Sequence, residues 1–240
     1  MARSAPAQSV DPSARESSRA DAAAARRAQL LTVAEALFLE HGYGKTSVSR
    51  IVKTAGVAQG TFYLYFASKE AILLELRRGV LRRLRRSFKD AAGLRSSAGD
   101  SGDAPADPRP ADERLAAGFR AVAAEVVAQV PLLRQFRAAE TAVQTERVVL
   151  DGRTSMAAPI ATLIQAGVDE GCFVADSVPV AAHAVLSLFS DLVYTSAAYG
   201  EPAPVEELVP VTARLLLRGL GVGPARIDAL APLPPSGDPR

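Results

Sequence analysis

The stretch GVAQGTFYLYFASKE, residues 56–70, places four aromatic residues within five positions of a chain in which only 5% of residues are aromatic. On a helix, Phe62 and Phe66 lie four residues apart and share one face, which predicts that both belong to a small core. Tyr63 and Tyr65 point elsewhere, and their hydroxyl groups suit a phosphate oxygen or a base edge. This segment therefore combines core residues with candidate contact residues.

Two further helices are predicted before this segment. Helical apolar periodicity begins at Arg26 and ends at Gly42, and a second, shorter helix follows Thr46 and Ser47, whose hydroxyl groups suit a helix N-cap. It ends at Gly56, and the next helix begins almost at once. Two helices joined by so tight a glycine-containing turn cross steeply, which is the geometry of a helix-turn-helix.

The start of the third helix carries residues that can read a base pair. Gln59 can pair with adenine, and Thr61 can offer a hydroxyl or a methyl group to thymine. Gly60 between them allows the backbone to approach a partner closely. The alternative interpretation is a helical hairpin with two surface tyrosines, in which none of these residues has a partner.

Charge is distributed unevenly along the 240 residues, although the net charge is only +2. Residues 1–92 hold 16 Lys and Arg against 8 Asp and Glu, and the rest of the chain holds 12 against 18. A basic part joined to an acidic part suggests that only the first meets a polyanion. The alternative, that the basic residues merely solvate a helix face, stays open on charge alone.

Composition excludes several other classes of protein. Cys172 is the one cysteine of the sequence, so no disulfide framework or thiolate metal cluster can form within the chain. The first twenty residues have no apolar run typical of a secretory signal, and no stretch approaches the roughly 18 uninterrupted apolar residues of a membrane span. With two histidines, His41 and His183, and no Gly-rich phosphate loop, the sequence predicts no catalytic set, metal or cofactor.

The segment from Arg27 to Leu76, with SVSRIVKTAGVAQGTFYLYFASKEAIL at its centre, resembles the DNA-binding domain of the tetracycline-repressor (TetR) family of bacterial transcription regulators. The resemblance covers about fifty residues and is highly specific. It implies phosphate contacts for Thr46, Tyr65 and Lys69. It also implies a set of residues facing the major groove: Gln59, Gly60, Thr61 and Tyr63. Ser47 completes the predicted DNA-binding set.

Two positions depart from the family pattern. Ala58 stands where a capping Ser is frequent, which costs about 1 kcal/mol of helix stability. Val52 replaces a common small Ala in the second helix, so packing there is expected to be slightly wider.

The predicted fold class is all-α, with an N-terminal three-helix DNA-binding domain and a larger helical domain for ligand binding and dimerisation. The predicted boundaries are a flexible basic arm (1–24), the helix-turn-helix domain (25–67), a connecting helix (68–92), a mobile linker (93–112), the larger domain (113–221) and a loose Pro-rich tail (222–240). Within the larger domain, the first helical pattern is expected to close at Pro131.

The last two long helices, predicted at 178–199 and 204–220, carry apolar faces. The resemblance implies that two subunits pair through them, and the alternative is that both fill the core of their own subunit. The predicted interface residues are Val185, Leu188, Phe189, Leu192, Leu208, Val211 and Leu215. A cavity is also implied, with candidate lining residues that are otherwise ordinary core or solvated surface: Phe119, Val122, Arg134, Phe136, Arg137, Glu140, Met156, Ile160 and Tyr194.

The function expected from this resemblance is a cytoplasmic homodimeric repressor that a small-molecule ligand releases from a palindromic operator. The alternative is an activator or architectural DNA-binding factor without a ligand switch. A third possibility, an enzyme that keeps the helix-turn-helix as scaffold, has no motif to support it.

Overall fold

The computed structural model describes residues 12–94, 107–139, 146–199 and 204–233, and these residues form nine helices and no strand. The helices are α1 (Pro12–His41), α2 (Val48–Ala55), α3 (Gln59–Tyr65), α4 (Lys69–Ala91), α5 (Ala111–Ala138), α6 (Glu146–Asp169), α7 (Val178–Tyr199), α8 (Val205–Gly219) and α9 (Pro224–Leu230). The all-α prediction is therefore confirmed. The chain divides into a small unit that ends at Leu73 and a large unit that begins at Leu74, so that α4 crosses the boundary.

The small unit is held by aromatic and aliphatic side chains from α1, α2, α3 and the start of α4. Phe38, Ile51 and Phe62 are fully buried, and Phe66 is nearly so. The rings of Phe62 and Phe66 lie 5.8 Å apart between centroids. The predicted assignment of these two phenylalanines to the core is confirmed.

Helix α1 begins earlier than predicted. Residues 12–24, assigned to a flexible arm, belong to α1, and residues 1–11 lie outside the described part of the chain. Ala is the strongest helix former, and this Ala-rich stretch extends the helix without an apolar face to bury. The periodicity that marks the helix in the sequence begins only where packing begins.

Three phenylalanine rings, from α4, α5 and α7, pack together in the core of the large unit. The ring of Phe119 in α5 lies 4.6 Å from that of Phe189 in α7 and 5.9 Å from that of Phe88 in α4. Gly118 makes this approach possible, since a Cβ atom added there would lie 2.6 Å from Cε2 of Phe88. The ring of Phe88 therefore packs directly against the backbone of α5 at Gly118.

The expectation that Pro131 closes a helix is wrong. Helix α5 continues through Pro131 to Ala138, and Leu132, Leu133 and Phe136 beyond the proline are all buried. A proline inside a helix costs about 3 kcal/mol, whereas burying one such large apolar side chain contributes about 1.5–3 kcal/mol. Three buried side chains therefore outweigh the lost backbone hydrogen bond.

The predicted loose tail is also corrected in its first part. Residues 224–230 form α9, with Ile227 and Leu230 buried. Arg226 ties α9 to α5 through Asp112, with its Nε and one terminal nitrogen 2.7 and 2.9 Å from the two carboxylate oxygens. Residues 234–240 lie outside the described part of the chain.

Two helices are long and apolar enough to cross a membrane by length and composition alone: α5, and α7 from Val178 to Ala197. The core helices of a helical domain pass the same test, and both contribute buried residues such as Phe119 and Phe189 to the large unit. Across the described ranges, no group of three or more His, Cys, Asp and Glu side chains could hold a metal ion.

Candidate nucleic-acid interface

The turn between α2 and α3 is defined by its caps. The Ser47 side chain accepts a hydrogen bond from the backbone N–H of Arg50 at 3.2 Å, which starts α2. Gly56 ends α2 with a φ of 65°, a conformation that residues with a Cβ rarely adopt. Helix α3 follows from Ala58, which provides no side-chain cap. The helix-turn-helix thus has the predicted short glycine turn and the predicted uncapped start.

Helix α3 buries one side and exposes the other. Phe62 faces the core, while Gln59, Gly60 and Tyr63 are exposed, and Thr61 and Tyr65 are half-buried. These are the residues predicted to contact DNA from this helix. The structure brings them onto one short helix, seven residues long.

Thr46 has a different position. Its side chain is buried, and its hydroxyl donates to the carbonyl oxygen of Gly42 at 2.9 Å and lies 3.2 Å from that of Leu37. This hydroxyl stabilises the turn after α1. The phosphate contact predicted for Thr46 would require the hydroxyl to leave the turn, and it stays a prediction.

Lys69 is anchored at the same turn. Its Nζ donates to the carbonyl oxygen of Tyr43 at 3.0 Å and lies 4.1 Å from the centroid of the Tyr43 ring. The Tyr43 hydroxyl donates to Glu70 at 2.9 Å. Since an ammonium group has three donors, Lys69 keeps donors for the phosphate contact predicted for it.

Burial and hydrogen bonding shift the pKa values of Tyr43 and Glu70. Burial, and then the neighbouring Glu70 carboxylate, raise the pKa of Tyr43 well above its usual value. The Ser68 hydroxyl, ahead of other groups, holds the pKa of Glu70 below its usual range. Tyr43 is therefore a neutral hydrogen-bond donor. Sequence reasoning missed it, because its only signal was its position between two glycines.

The segment that contains α3 is basic. Residues 41–69 hold four Lys and Arg and no Asp or Glu. Of these, Lys45, Arg50 and Lys53 are exposed. None of the three was predicted as a site residue, although the acid-free run is visible in the sequence.

The faces predicted for dimerisation divide into two groups. Val185, Phe189 and Leu208 are buried within their own subunit, whereas Val211 and Leu215 in α8 are 55% and 51% exposed. Leu188 and Leu192 are half-buried. Helices α7 and α8 thus fill their own core with one face and leave apolar side chains exposed on another.

The predicted ligand-contact residues are also divided. The buried members are Phe119, Val122, Phe136 and Ile160. Met156 is half-buried, and Arg134 and Arg137 are exposed. Glu140 and the side chain of Tyr194 lie outside the described residues.

Three comparisons relate the chain to known proteins. The family model described as bacterial regulatory proteins, tetR family, matches residues 30–76. The chain is 50% identical over 48 residues to the fatty acid metabolism regulator protein of Bacillus subtilis. The matched residues make up 20% of this chain and 25% of that protein. It is 43% identical over 65 residues to the HTH-type transcriptional repressor KstR2 of Mycobacterium tuberculosis, 27% of this chain and 32% of that protein. The chain thus spans about a quarter to a third of the length of these relatives.

Solved structures share the fold over most of the chain. The fatty acid degradation regulator FadR from Bacillus halodurans has a TM-score of 0.60 at 23% identity, covering 82% of this chain and 97% of that one. RolR in complex with resorcinol has a TM-score of 0.58 at 18% identity, covering 91% and 100%. These likenesses show the fold, and the specific match lies in the small unit. The match to the TetR family of bacterial regulatory proteins extends over residues 30–76, which include α2 and α3.

Proposed function

We propose that this chain is a sequence-specific DNA-binding transcription regulator. It acts in the cytoplasm as a homodimeric repressor that a small-molecule ligand releases from a palindromic operator. Relatives that share a stretch of 48 or 65 residues with this chain are named as a regulator and a repressor. The observation that carries the proposal is the exposed side of α3, which includes Gly60 and lies in a segment, residues 41–69, with four Lys and Arg and no acid.

The fold of this chain does not require Gly60. Its φ is not positive, and a Cβ added there would meet no atom within 4 Å. Glycine inside a helix is about 1 kcal/mol less favourable than alanine. A partner that must approach the backbone closely explains why the helix carries a glycine here, and the floor of the major groove is such a partner.

The exposed side chains suit two kinds of contact. Gln59 and Tyr63 are exposed and suit contacts with base edges in the major groove. The surrounding basic residues, with Tyr65 and Lys69, suit phosphate contacts that orient the domain on the duplex: Lys45, Arg50 and Lys53. Ser47 lies beside them as the α2 cap.

A homodimer follows from the need for two half-sites. One short recognition helix reads few base pairs, and two of them about 34–36 Å apart read a palindrome. Val211 and Leu215 lie four residues apart on α8 and are both exposed, so they form one apolar stripe that a second copy can cover. The half-buried Leu188 and Leu192 of α7 add to the proposed interface.

The ligand switch belongs to the large unit. Its candidate residues include buried apolar side chains such as Phe119 and Phe136, with Arg134 and Arg137 exposed nearby in sequence. RolR, which shares the fold, has been solved with resorcinol. A ligand that favours one half-site spacing over another needs about 1–3 kcal/mol of differential binding to control the operator. An activator or architectural factor without such a switch is the alternative.

The DNA-binding test uses the full chain and duplexes that it enriches from a random library. The variant Gly60→Ala is expected to raise the unfolding midpoint slightly and to weaken operator binding about tenfold or more, since a methyl group blocks the close approach. Gly219→Ala is the matched control, because it also adds a Cβ in open space at a helical position. Full affinity of Gly60→Ala, or no enriched duplex, would contradict the proposal.

Contact roles are separated by two further variants. Lys69→Ala should weaken binding to all sequences and reduce the slope against salt by about 0.9 per lost phosphate contact. Gln59→Ala should instead relax preference at one base pair, by about 1–3 kcal/mol. Equal losses on operator and random DNA for both variants would show that these roles are misassigned.

The dimer and the switch have their own tests. Leu215→Glu is expected to sediment as a monomer and to lose operator binding. Val174→Glu, at a 70% exposed position, is the control and should remain a dimer that binds the operator. Small molecules extracted from the purified protein and added back to the operator complex should weaken it. Operator binding by a monomer, or binding that no extract weakens, would favour the alternative function.

A further inference from the structure

Leu64 is the most exposed large apolar side chain in the described part of the protein. It is 81% exposed in α3, while Phe62 two residues earlier is fully buried. Leu64 does not contribute to the core of the small unit. Phe62 and Phe66 supply the buried apolar side chains in this part of the chain.

Leu64 shares its side of α3 with Gly60. The two residues are four positions apart, so they are neighbours on the surface of the helix. A helical side chain leans toward the N-terminal end of its helix, and Gly60 has no side chain to meet it. Together they make a small apolar surface on the side of α3 that faces away from the core.

The segment that carries this apolar surface is basic. Lys45, Arg50 and Lys53 are exposed, and no acid occurs between residues 41 and 69. The charge complements a polyanion, while Leu64 requires an apolar group at the centre of the contact. In the major groove of DNA, that apolar group is the C5-methyl of thymine.

We propose that Leu64 reads the C5-methyl group of one thymine in each operator half-site. This proposal rests on the proposed function and adds a specificity-determining residue to it. The methyl group would pack against the leucine side chain beside Gly60. Burying one such group changes affinity by about fourfold, so Leu64 contributes selectivity more than overall affinity.

The test replaces each thymine of the enriched operator in turn by deoxyuridine, which keeps every hydrogen bond and lacks only the methyl group. With the full-length protein, substitution at one position in each half-site should weaken binding about fourfold or more. With Leu64→Ala, the same substitution should have no effect. Leu64→Met keeps an apolar side chain and should retain part of the sensitivity.

Leu39→Ala is the matched control, since Leu39 is a partly exposed leucine of α1, and it should leave the uridine profile unchanged. Operator binding with identical uridine profiles for the original protein and Leu64→Ala would overturn the role of Leu64 and leave the proposed function standing. If the original protein enriches no duplex, both fail. If Leu64→Ala changed the sedimentation coefficient and left the uridine profile unchanged, Leu64 would contact another protein chain and not the thymine methyl group. That result would overturn the proposal.

Discussion

The small unit and the large unit bury the same kinds of side chain and expose different ones. Phe62 in the small unit and Phe119 in the large unit are each almost fully buried. On the surface, the small unit presents Tyr63 within an acid-free, basic region, while the large unit presents aliphatic side chains such as Val211 and Leu215. The cores thus specify helical folds of one general kind, whereas the exposed residues of the two units differ: they are polar and basic in one and include aliphatic side chains in the other.

The units also hold their helix ends differently. In the small unit, Ser47 and Gly56 cap a helix of only eight residues. In the large unit, the seven-residue α9 is held by buried apolar residues and by Arg226, which contacts α5. Short helices are marginal alone, so each needs a local cap or a tertiary contact.

The largest expected effect tests whether the two cores are independent. Phe62→Ala and Phe119→Ala each remove a ring from a packed site, which costs about 3–5 kcal/mol of unfolding free energy. We expect Phe62→Ala to lower the unfolding transition of the small unit and to abolish DNA binding, while Phe119→Ala lowers that of the large unit. Circular dichroism against denaturant would follow both. A single transition that both variants shift equally would show that the two cores do not unfold independently.

A smaller effect is expected from the contact that holds α9. Arg226→Ala removes the hydrogen bonds to the buried Asp112 carboxylate, each of a kind that contributes about 1.5–3 kcal/mol. Because Arg226 is partly exposed, we expect about 2 kcal/mol in total, seen as a lower unfolding midpoint of the large unit only. Arg218→Ala, at an exposed position of α8, is the control. Equal midpoints for the two variants would show that the ion pair contributes nothing.

The same contact predicts a dependence on pH. The hydrogen bonds from Arg226, ahead of other groups, lower the pKa of Asp112 from its usual value of 3.8. A carboxyl group whose pKa is lowered by folding stabilises the fold above its usual pKa and loses that contribution as pH falls through its folded value. Stability of the large unit should therefore decline below about pH 3.8, and Arg226→Ala should flatten this part of the profile. Parallel acid profiles would contradict the assignment.

The smallest expected effect is a gain in the small unit. Ala58 begins α3 without a side-chain cap, and Ala58→Ser should add about 1 kcal/mol of stability. The measurement is the unfolding midpoint of the small unit, with Ala67→Ser, at an exposed position just after the helix, as the control. No gain, or an equal gain from the control, would show that the end of α3 is satisfied in another way.

The small unit was largely predictable from sequence because its signals are local. The Ser47 cap, the Gly56 turn and the spacing of Phe62 and Phe66 each act within a few residues. The contact of Lys69 with Tyr43 was not predictable, since it joins positions 26 residues apart. The burial of Thr46 was missed, although its hydroxyl bonds to Gly42 only four residues earlier. The DNA contacts that the resemblance implies for these residues stay predictions.

The large unit was predictable only as a set of helices. Buried residues on both sides of Pro131 override a local breaker, which the proline alone cannot reveal. Helix α9 did carry signals that were missed, with Pro224 at its first position and Ile227 and Leu230 three apart. An apolar face such as that of Val185 and Phe189 shows that a helix packs, but not whether it packs against its own subunit or another.

Gly118 has a consequence for how α4 can move. The ring of Phe88 rests where any side chain on residue 118 would stand, so the far end of α4 is seated against the backbone of α5. We expect this packing of Phe88 against Gly118 to resist sliding of α4 along α5 while permitting a small tilt about the ring. We therefore expect a movement of α4 to be a small rotation about Phe88, with little translation along α5.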